Sequence, residues 1–207
     1  CGTPTQLPVG NSDADGVHHF WTFEDARSIK SHIEQADSSV VVGAGLLGID
    51  LAAITAAQDV EGKYLMRGNN WWRYALSEEG AEIIHDALRE RNVEPVFQSG
   101  VDHFEVDDDG RVTTAVDPNG EAFDADFVGI AIGLDFNTEI LQDTPIECDD
   151  GVIVDEYLRT NHDDVFAAGD ITEFEDLILG ERGQNGAWGS AKEQGSIAAQ
   201  NMVDYGT

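Results

Sequence analysis

Cysteine is scarce in this sequence: only Cys1 and Cys148 occur among 207 residues, and no C-x-x-C pair is present. Two isolated thiols cannot build a disulfide framework, and they lack the spacing of a zinc cluster. Long apolar runs and a signal peptide are lacking as well, so no membrane-spanning segment is expected. These absences predict a protein of a reducing cytoplasm, with no membrane partner and no metal site.

Lysine is equally scarce. Lys30, Lys63 and Lys192 are the only three, and 11 basic residues stand against 41 acidic ones, for a formal net charge of −30. The acid is spread along the chain, which is typical of a solvated acidic surface and not of a disordered tail. Such a surface repels nucleic acids and anionic membranes, so neither is expected as a partner. The composition resembles that of proteins from salt-accumulating halophiles, and we therefore expect stability to rise with added KCl.

The beginning of the chain, the histidines and Cys148 give little indication of structure or chemistry. The first residue is Cys1 instead of methionine, so we expect the chain to be a piece of a longer protein. Residues 1–16 are rich in turn formers and predict no regular structure. His18 and His19 are expected in a loop, where an isolated pair makes a poor metal site. Cys148 lies among acidic residues that raise a thiol pKa, so no nucleophilic role is expected.

What the sequence does contain is a glycine turn between a strand and a helix. Residues 40–42 are all valine, as in a central strand covered on both faces. Gly43-Ala44-Gly45-Leu46-Leu47-Gly48 then fits the G-x-G-x-x-G dinucleotide fingerprint. Its glycines allow a tight turn, the close approach of a pyrophosphate, and the packing of helix on strand, while helix N–H groups bind the phosphates. A tight turn that binds nothing stays open as the alternative.

Hydrophobic periodicity predicts alternating strands and helices along the chain. Helices are expected over residues 22–36, 48–56, 77–88 and 188–202, and strands over residues 40–42, 63–67, 93–97, 127–133, 151–155 and 165–170. Between them, residues 101–106, 111–116 and 121–123 alternate with period two, which indicates an antiparallel meander. The pattern predicts an α/β fold with a Rossmann-like parallel sheet, an inserted antiparallel β-meander, and a second region from residue 134.

The order of the motifs resembles that of the pyridine nucleotide-disulfide oxidoreductase family, which includes NADH oxidases and ferredoxin, rubredoxin and nitrite reductases. Four motifs carry the likeness: residues 43–50, residues 131–133 with Asn137 and Thr138, residues 153–160, and residues 165–170. A fifth, at Trp188, Ala191, Gln194, Gly195, Ala198, Ala199, Asn201 and Met202, resembles the helix that closes the family's flavin domain. Together the motifs span nearly the whole chain.

The resemblance implies roles at the nicotinamide nucleotide. Gly43, Ala44, Gly45, Leu46, Leu47 and Gly48 would hold the pyrophosphate of NAD(P)H. Asp50 stands where the family has glutamate and would lie near the nicotinamide; the alternative is an acid on the helix surface. Gly133 would line the nicotinamide side, where a side chain would block the ring.

A second set of roles concerns the flavin. Asp170 would bind the ribityl or phosphate part of FAD, with Gly169 leaving room for the approach; a plain helix cap is the alternative reading of Asp170. The amino end of the last helix, at Ala187 and Trp188, would approach the isoalloxazine edge. Trp188 can equally be a core or interface aromatic. Trp71 and Trp72 are expected to pack under a loop instead of stacking on a base.

The choice between NADH and NADPH depends on the end of the second strand. An acidic residue there binds the ribose 2′-OH of NAD, whereas an arginine accommodates the 2′-phosphate of NADP. Arg67 stands at this position, Arg73 follows, and no acid occupies the slot. The sequence therefore predicts a preference for NADPH, the alternative being that Arg67 only pairs with a surface carboxylate.

The resemblance also implies what the longer protein contains. Residues 1–15 would end a first flavin segment, residues 16–133 would form the NAD(P)-binding domain, and residues 134–207 would form the second, partial flavin segment. The longer protein would be a homodimeric flavoenzyme that passes hydride from NAD(P)H to FAD and on to an unidentified acceptor, with no side chain here acting as an acid or a base. This chain alone would bind NAD(P)H, hold FAD poorly and be inactive. The alternative is a non-catalytic nucleotide sensor or regulatory module.

Overall fold

The computed structural model describes residues 2–72, 76–178 and 180–203. Their contacts divide into a central unit, residues 4–134, and a terminal unit, which combines residues 2–3 with the described residues from 135 onward. By packing, residues 4–15 therefore lie with the central unit. The functional domain boundaries given above stay a prediction.

A five-stranded parallel sheet organises the central unit. Its strands, β2 (Val17–His19), β3 (Ser38–Val42), β4 (Glu61–Met66), β5 (Val93–Phe97) and β9 (Phe127–Ile130), lie in the order β2-β9-β3-β4-β5. The helices are α1 (Phe23–Ile33), α2 (Leu46–Ala57) and α3 (Glu78–Arg89). The antiparallel meander β6 (His103–Val106), β7 (Val112–Val116) and β8 (Ala122–Asp124) is inserted between β5 and β9. The predicted α/β fold class is confirmed.

The valines of β3 explain why the sheet is covered on both faces. Side chains alternate along a strand, so Val41 packs with Ile29 and Leu51 in the helix layer. Val40 and Val42 pack with the meander layer on the other face. All three valines are buried, and each contributes roughly 1.5–3 kcal/mol of apolar burial. The sheet is thereby held in one register, since a slip by one residue would exchange the two faces.

Short polar motifs fix where the helices begin. At α1 the Thr22 hydroxyl accepts from the Asp25 N–H at 3.1 Å, while the Asp25 carboxylate accepts from the Thr22 N–H at 2.6 Å. This reciprocal capping box fixes the start of α1 at Phe23, close to the start of the helix predicted over residues 22–36. At α3 the Ser77 hydroxyl accepts from the Gly80 N–H at 3.2 Å.

The terminal unit is built from short elements. It contains β10 (Leu134–Phe136), a 3-10 helix (Glu139–Leu141), β11 (Val152–Ile153), β12 (Thr172–Asp176), β13 (Glu181–Gly183) and α4 (Trp188–Val203). Strands β11, β12 and β13 form a mixed sheet, and β10 pairs with β1 (Gly2–Pro4). The core is small, with Val152, Val154, Leu158 and Ala198 buried together.

Several expectations from the sequence are wrong in detail. His18 and His19 lie on the edge strand β2, paired in parallel with β9, and not in a loop. Residues 165–170 form no strand; they make a single bridge, from Phe166 to Arg159, before the chain turns at Gly169 with φ of +90°. The neighbouring strand is β12 instead. β1 also gives regular structure within residues 1–16.

Other differences concern boundaries. Helix α2 begins at Leu46, inside the glycine motif and not after Gly48. Strand β9 ends at Ile130, before the left-handed Gly133 with φ of +117°. No helix in the described part of the chain has the length and apolar character needed to cross a membrane.

Candidate functional site

A cavity of about 730 Å³ opens in the central unit at the carboxyl ends of β3, β4 and β9. Its lining includes Gly43, Ala44, Gly45, Arg67 and Gly133, five of the residues predicted from the sequence. This is the edge of a parallel sheet where ligands bind in open α/β folds. The volume lies within the range of ordinary small-molecule sites.

The three glycines of the turn differ in what surrounds them. A Cβ at Gly43, whose φ is +118°, would lie 2.1 Å from the carbonyl oxygen of Ala131. A Cβ at Gly48 would lie 2.0 Å from the carbonyl oxygen of Gly43. A Cβ at Gly45, by contrast, would have no described atom within 4 Å apart from its chain neighbours. Gly43 and Gly48 are therefore required by packing, whereas Gly45 leaves open space.

That open space stands at the amino end of α2. Gly45 is the N-cap residue, and no side chain within the described ranges caps the helix. The first N–H groups of a helix have no intrahelical partner and carry the positive end of the dipole. Leu46 and Leu47 are exposed beside this end. The uncapped N-terminus of α2 therefore faces open space, and this arrangement fits the binding of a dinucleotide pyrophosphate.

Arg67 follows β4 directly and is exposed at the cavity. Two hydrogen bonds bracket it: the Ser99 N–H donates to the Met66 carbonyl and the Gln98 N–H donates to the Gly68 carbonyl, both at 3.0 Å. Within the described ranges its guanidinium makes no ion pair, although the surface is rich in carboxylates. The positive charge is thus placed at the cavity and left available for an anion. Arg73 lies outside the described residues.

The two tryptophans after Arg67 do not share one environment. Trp71 is buried, and its backbone N–H donates to Nε2 of His85 at 3.1 Å while its indole N–H donates to the Gly45 carbonyl at 3.4 Å. Trp72 instead lines the cavity and is 38% exposed. The expectation that both pack under a loop is correct for Trp71 and wrong for Trp72. Because the residues are adjacent and chemically identical, sequence alone does not distinguish them.

Tyr64 lies beneath the glycine turn. Its side chain is fully buried, and its hydroxyl has no hydrogen-bond partner in the part of the chain that the structure describes. Burial raises the pKa of this hydroxyl, and the charge of Asp50 adds to the rise. The indole N–H of Trp71 is directed to Gly45, so it gives Tyr64 no hydrogen bond. Asp50 itself is exposed on α2 and does not line the cavity.

The terminal unit holds the remaining predicted residues around one turn. The Gln194 side-chain oxygen, on α4, accepts from the Gly169 N–H at 2.7 Å and from the Thr172 hydroxyl at 2.9 Å. Gln194 is 9% exposed, so these bonds are shielded from water. They fix the backbone on both sides of Asp170, whose carboxylate makes no hydrogen bond or ion pair to any residue the structure describes. Gln194 belongs to the motif of the closing helix, but the motif alone does not predict that this side chain supports the Gly169 turn.

Ala187 and Trp188 stand at the amino end of α4 in the same unit. Trp188 is 83% exposed, with the Lys192 ammonium 5.6 Å from its ring centroid. A core position for Trp188 within this unit is therefore excluded. A flavin-edge or interface role stays a prediction.

Cys148 and the histidines are the remaining side chains of a type that can react or bind a metal. Burial, and secondarily Glu173, raises the pKa of the Cys148 thiol, which is the direction expected from its acidic surroundings. Among the residues the structure describes, no three His, Cys, Asp or Glu side chains are arranged to hold a metal ion.

Comparison with known proteins gives a family match over almost the whole chain. The model of a family described as pyridine nucleotide-disulphide oxidoreductase matches residues 2–195. Rhodocoxin reductase of Rhodococcus erythropolis is 30% identical over 168 residues, which cover 81% of this chain and 39% of that protein. An NADH oxidase of Enterococcus faecalis is 29% identical over 168 residues, covering 81% of this chain and 37% of the relative.

A solved structure extends the comparison to three dimensions. The covalent complex of putidaredoxin reductase with putidaredoxin superimposes with a TM-score of 0.88 at 25% identity, covering 96% of this chain and 49% of that chain. The chain thus spans half or less of the length of each of these relatives.

Proposed function

The chain belongs to the pyridine nucleotide-disulphide oxidoreductase family, and from this premise we propose that its parent protein oxidises NAD(P)H by hydride transfer to FAD. Relatives named as NADH oxidase and rhodocoxin reductase support this class of reaction. The bare amino end of α2, facing open space at Gly45, is the observation that carries the proposal for the nucleotide. The acceptor proposed for the electrons is a protein, since one relative is solved in complex with putidaredoxin.

In this proposal NAD(P)H supplies a hydride and FAD accepts it, and the chain supplies binding and orientation. Gly43, Ala44, Gly45, Leu46, Leu47 and Gly48 hold the pyrophosphate, and Arg67 meets the 2′-phosphate. Gly133, without a side chain, leaves the nicotinamide side of the cavity clear. No described side chain is assigned as a general acid or base.

The flavin is proposed to contact the terminal unit. Asp170 presents a carboxylate with no protein partner among the described residues, which fits a group rich in hydroxyls, and Gly169, whose N–H is held by Gln194, makes the turn that places it. Ala187 and Trp188 are proposed to lie at the ring edge, and Asp50 near the nicotinamide. We propose that this chain alone binds NAD(P)H but retains little FAD, and that the full-length protein is a homodimer.

The proposed preference for NADPH has a direct test at Arg67. Arg67→Glu places a carboxylate where the 2′-phosphate would bind, so NADPH affinity should fall by about tenfold or more while NADH affinity changes little. Calorimetric titration of both nucleotides measures the ratio. Arg91→Glu makes the same charge change on an exposed arginine that donates to the Ala87 carbonyl, away from the cavity, and controls for net charge. An unchanged ratio in Arg67→Glu would defeat the assignment.

A non-catalytic nucleotide sensor is the second candidate, since the glycine turn and its cavity would serve a sensor as well as an enzyme. Absorbance at 450 nm of the purified full-length protein separates the two. Stoichiometric FAD supports the enzyme, and a colourless protein that still binds NADPH supports the sensor.

We also propose that the protein works in a saline cytoplasm. A net charge of −30 on 207 residues repels itself, and salt screens this repulsion. The urea midpoint of unfolding should therefore rise between 0.1 M and 2 M KCl, whereas an uncharged osmolyte at matched osmolality should reproduce only part of the rise. A midpoint that falls with KCl would contradict the proposal.

A further inference from the structure

We propose that Trp72 is the surface on which the adenine ring of the nucleotide stacks. The inference rests on the proposed NAD(P)-binding function and names a contact that the sequence alone does not predict. Trp72 lines the same cavity as Gly43, Gly45 and Arg67, and 38% of its surface is exposed there.

The backbone of Trp72 is strained in a way that requires support. Its φ is +47°, in the left-handed region that bulky residues rarely adopt. Such conformations persist where the surroundings hold them and cluster at ligand clamps. Gln98, which lines the same cavity, is also left-handed with φ of +52°. Two strained residues thus border one cavity.

The support for Trp72 comes from Trp71. The two rings lie with centroids 5.5 Å apart at an interplanar angle of 42°. Trp71 is anchored through its backbone N–H to His85 and through its indole N–H to Gly45. Because Nε2 of His85 accepts, its proton is assigned to Nδ1, which donates to Glu82 at 3.0 Å. The chain of contacts runs from α3 to the glycine turn, so the exposed ring of Trp72 rests on a fixed base.

The position along the fold identifies which part of the nucleotide meets this ring. In open α/β folds the residue at the end of the second strand contacts the adenosine ribose. Arg67 stands at that point, and Trp72 follows on the same β4–α3 connection. An exposed aromatic ring in the same cavity as a guanidinium that makes no ion pair with any described residue matches a base joined to a phosphorylated ribose. Stacking of a base on an aromatic side chain does not depend on the identity of the base.

The matched exposed tryptophan of the central unit is Trp21, which is 43% exposed and does not line the cavity. The test is calorimetric titration with 2′,5′-ADP, which carries the adenine and the 2′-phosphate without the nicotinamide. By analogy with base stacking on nucleic-acid-binding proteins, Trp72→Ala should weaken 2′,5′-ADP about tenfold, and Trp72→Phe should recover most of the loss. Trp21→Ala should bind as the unchanged chain does.

Tryptophan fluorescence gives a readout that a purely structural role would not move. Saturating 2′,5′-ADP should quench the emission of the unchanged chain, and the quenching should disappear in Trp72→Phe although the ligand still binds. Normal affinity in Trp72→Ala, or full quenching in Trp72→Phe, overturns the inference while the proposed function stands. If the unchanged chain binds neither NADPH nor 2′,5′-ADP, the proposed function is overturned, and the inference with it.

Discussion

Gly48→Ala is expected to destabilise the central unit by about 3 kcal/mol, a cost typical of overpacking against backbone. The new Cβ would lie 2.0 Å from the Gly43 carbonyl oxygen and 2.8 Å from the Tyr64 hydroxyl. Alanine gains about 1 kcal/mol in intrinsic helix propensity over glycine, which is too little to offset the clash. Urea unfolding monitored by tryptophan emission measures the loss.

Gly45→Ala is the matched variant in the same turn, and we expect it to weaken nucleotide binding while leaving stability nearly unchanged. Gly45 has φ of −95° and ψ of −174°, an extended conformation that alanine adopts freely. Its Cβ would meet only open space, so stability should change by less than about 1 kcal/mol, the usual penalty for alanine at an N-cap. NADPH affinity should fall markedly, because the methyl group occupies the approach of the pyrophosphate. If Gly45→Ala binds NADPH normally, the phosphates do not lie there.

The second large effect concerns pH and His18. The pKa of His18 is lowered to about 4, chiefly by burial; the charges of His32 and, least, His19 also lower it, whereas Asp15 and Asp25 oppose the shift. The ring stacks on Phe127, with centroids 5.6 Å apart, and its Nε2 is buried without a hydrogen-bond partner among the described residues. The folded chain therefore holds His18 neutral at a pH where the unfolded chain protonates it.

The sign follows from the number of protons bound in each state. Between pH 6.5 and pH 4 the unfolded chain binds the additional proton, so the free energy of unfolding falls as the pH falls through this window. The loss attributable to His18 is about 2 kcal/mol after allowance for its partial exposure. His18→Phe keeps the ring stacking and should flatten the profile, whereas His162→Phe, at an exposed histidine, should not. Parallel profiles for His18→Phe and the unchanged chain would contradict the prediction.

The glycine turn could be predicted from sequence because its signals are local. The valines of β3, the spacing of Gly43, Gly45 and Gly48, and the capping residues Thr22 and Ser77 act within a few positions of themselves. Strand β2 could not be predicted from sequence, since its three residues, two of them histidines, are too few to show the alternation of a strand. Its strand conformation comes from pairing with β9, far along the chain. The strand predicted over residues 165–170 is wrong although its apolar run is present, because the chain turns at Gly169 before a ladder of strand hydrogen bonds forms.

The candidate site divides in the same way. Residues proposed to contact phosphate through the backbone or through charge, such as Gly45 and Arg67, can be predicted from the glycine motif and from their position at the end of a strand. The supports of the site depend on tertiary contacts: His85 reaches Trp71 from α3, and Gln194 reaches Gly169 from α4. A buried glutamine or histidine leaves no mark in a single sequence that distinguishes it from an exposed one.

The order of the sheet also has a consequence for how the protein is made. Central strand β3 pairs on one side with β4, which follows soon after it, and on the other with β9, where Val40 lies opposite Val128. The Gly43 turn packs against the carbonyl of Ala131, which follows β9. During vectorial synthesis the ribosome therefore releases the glycine motif long before its last neighbour exists. We expect a nascent chain that ends before β9 to leave one edge of β3 unpaired and exposed to chaperones, and nucleotide to bind only once β9 has emerged.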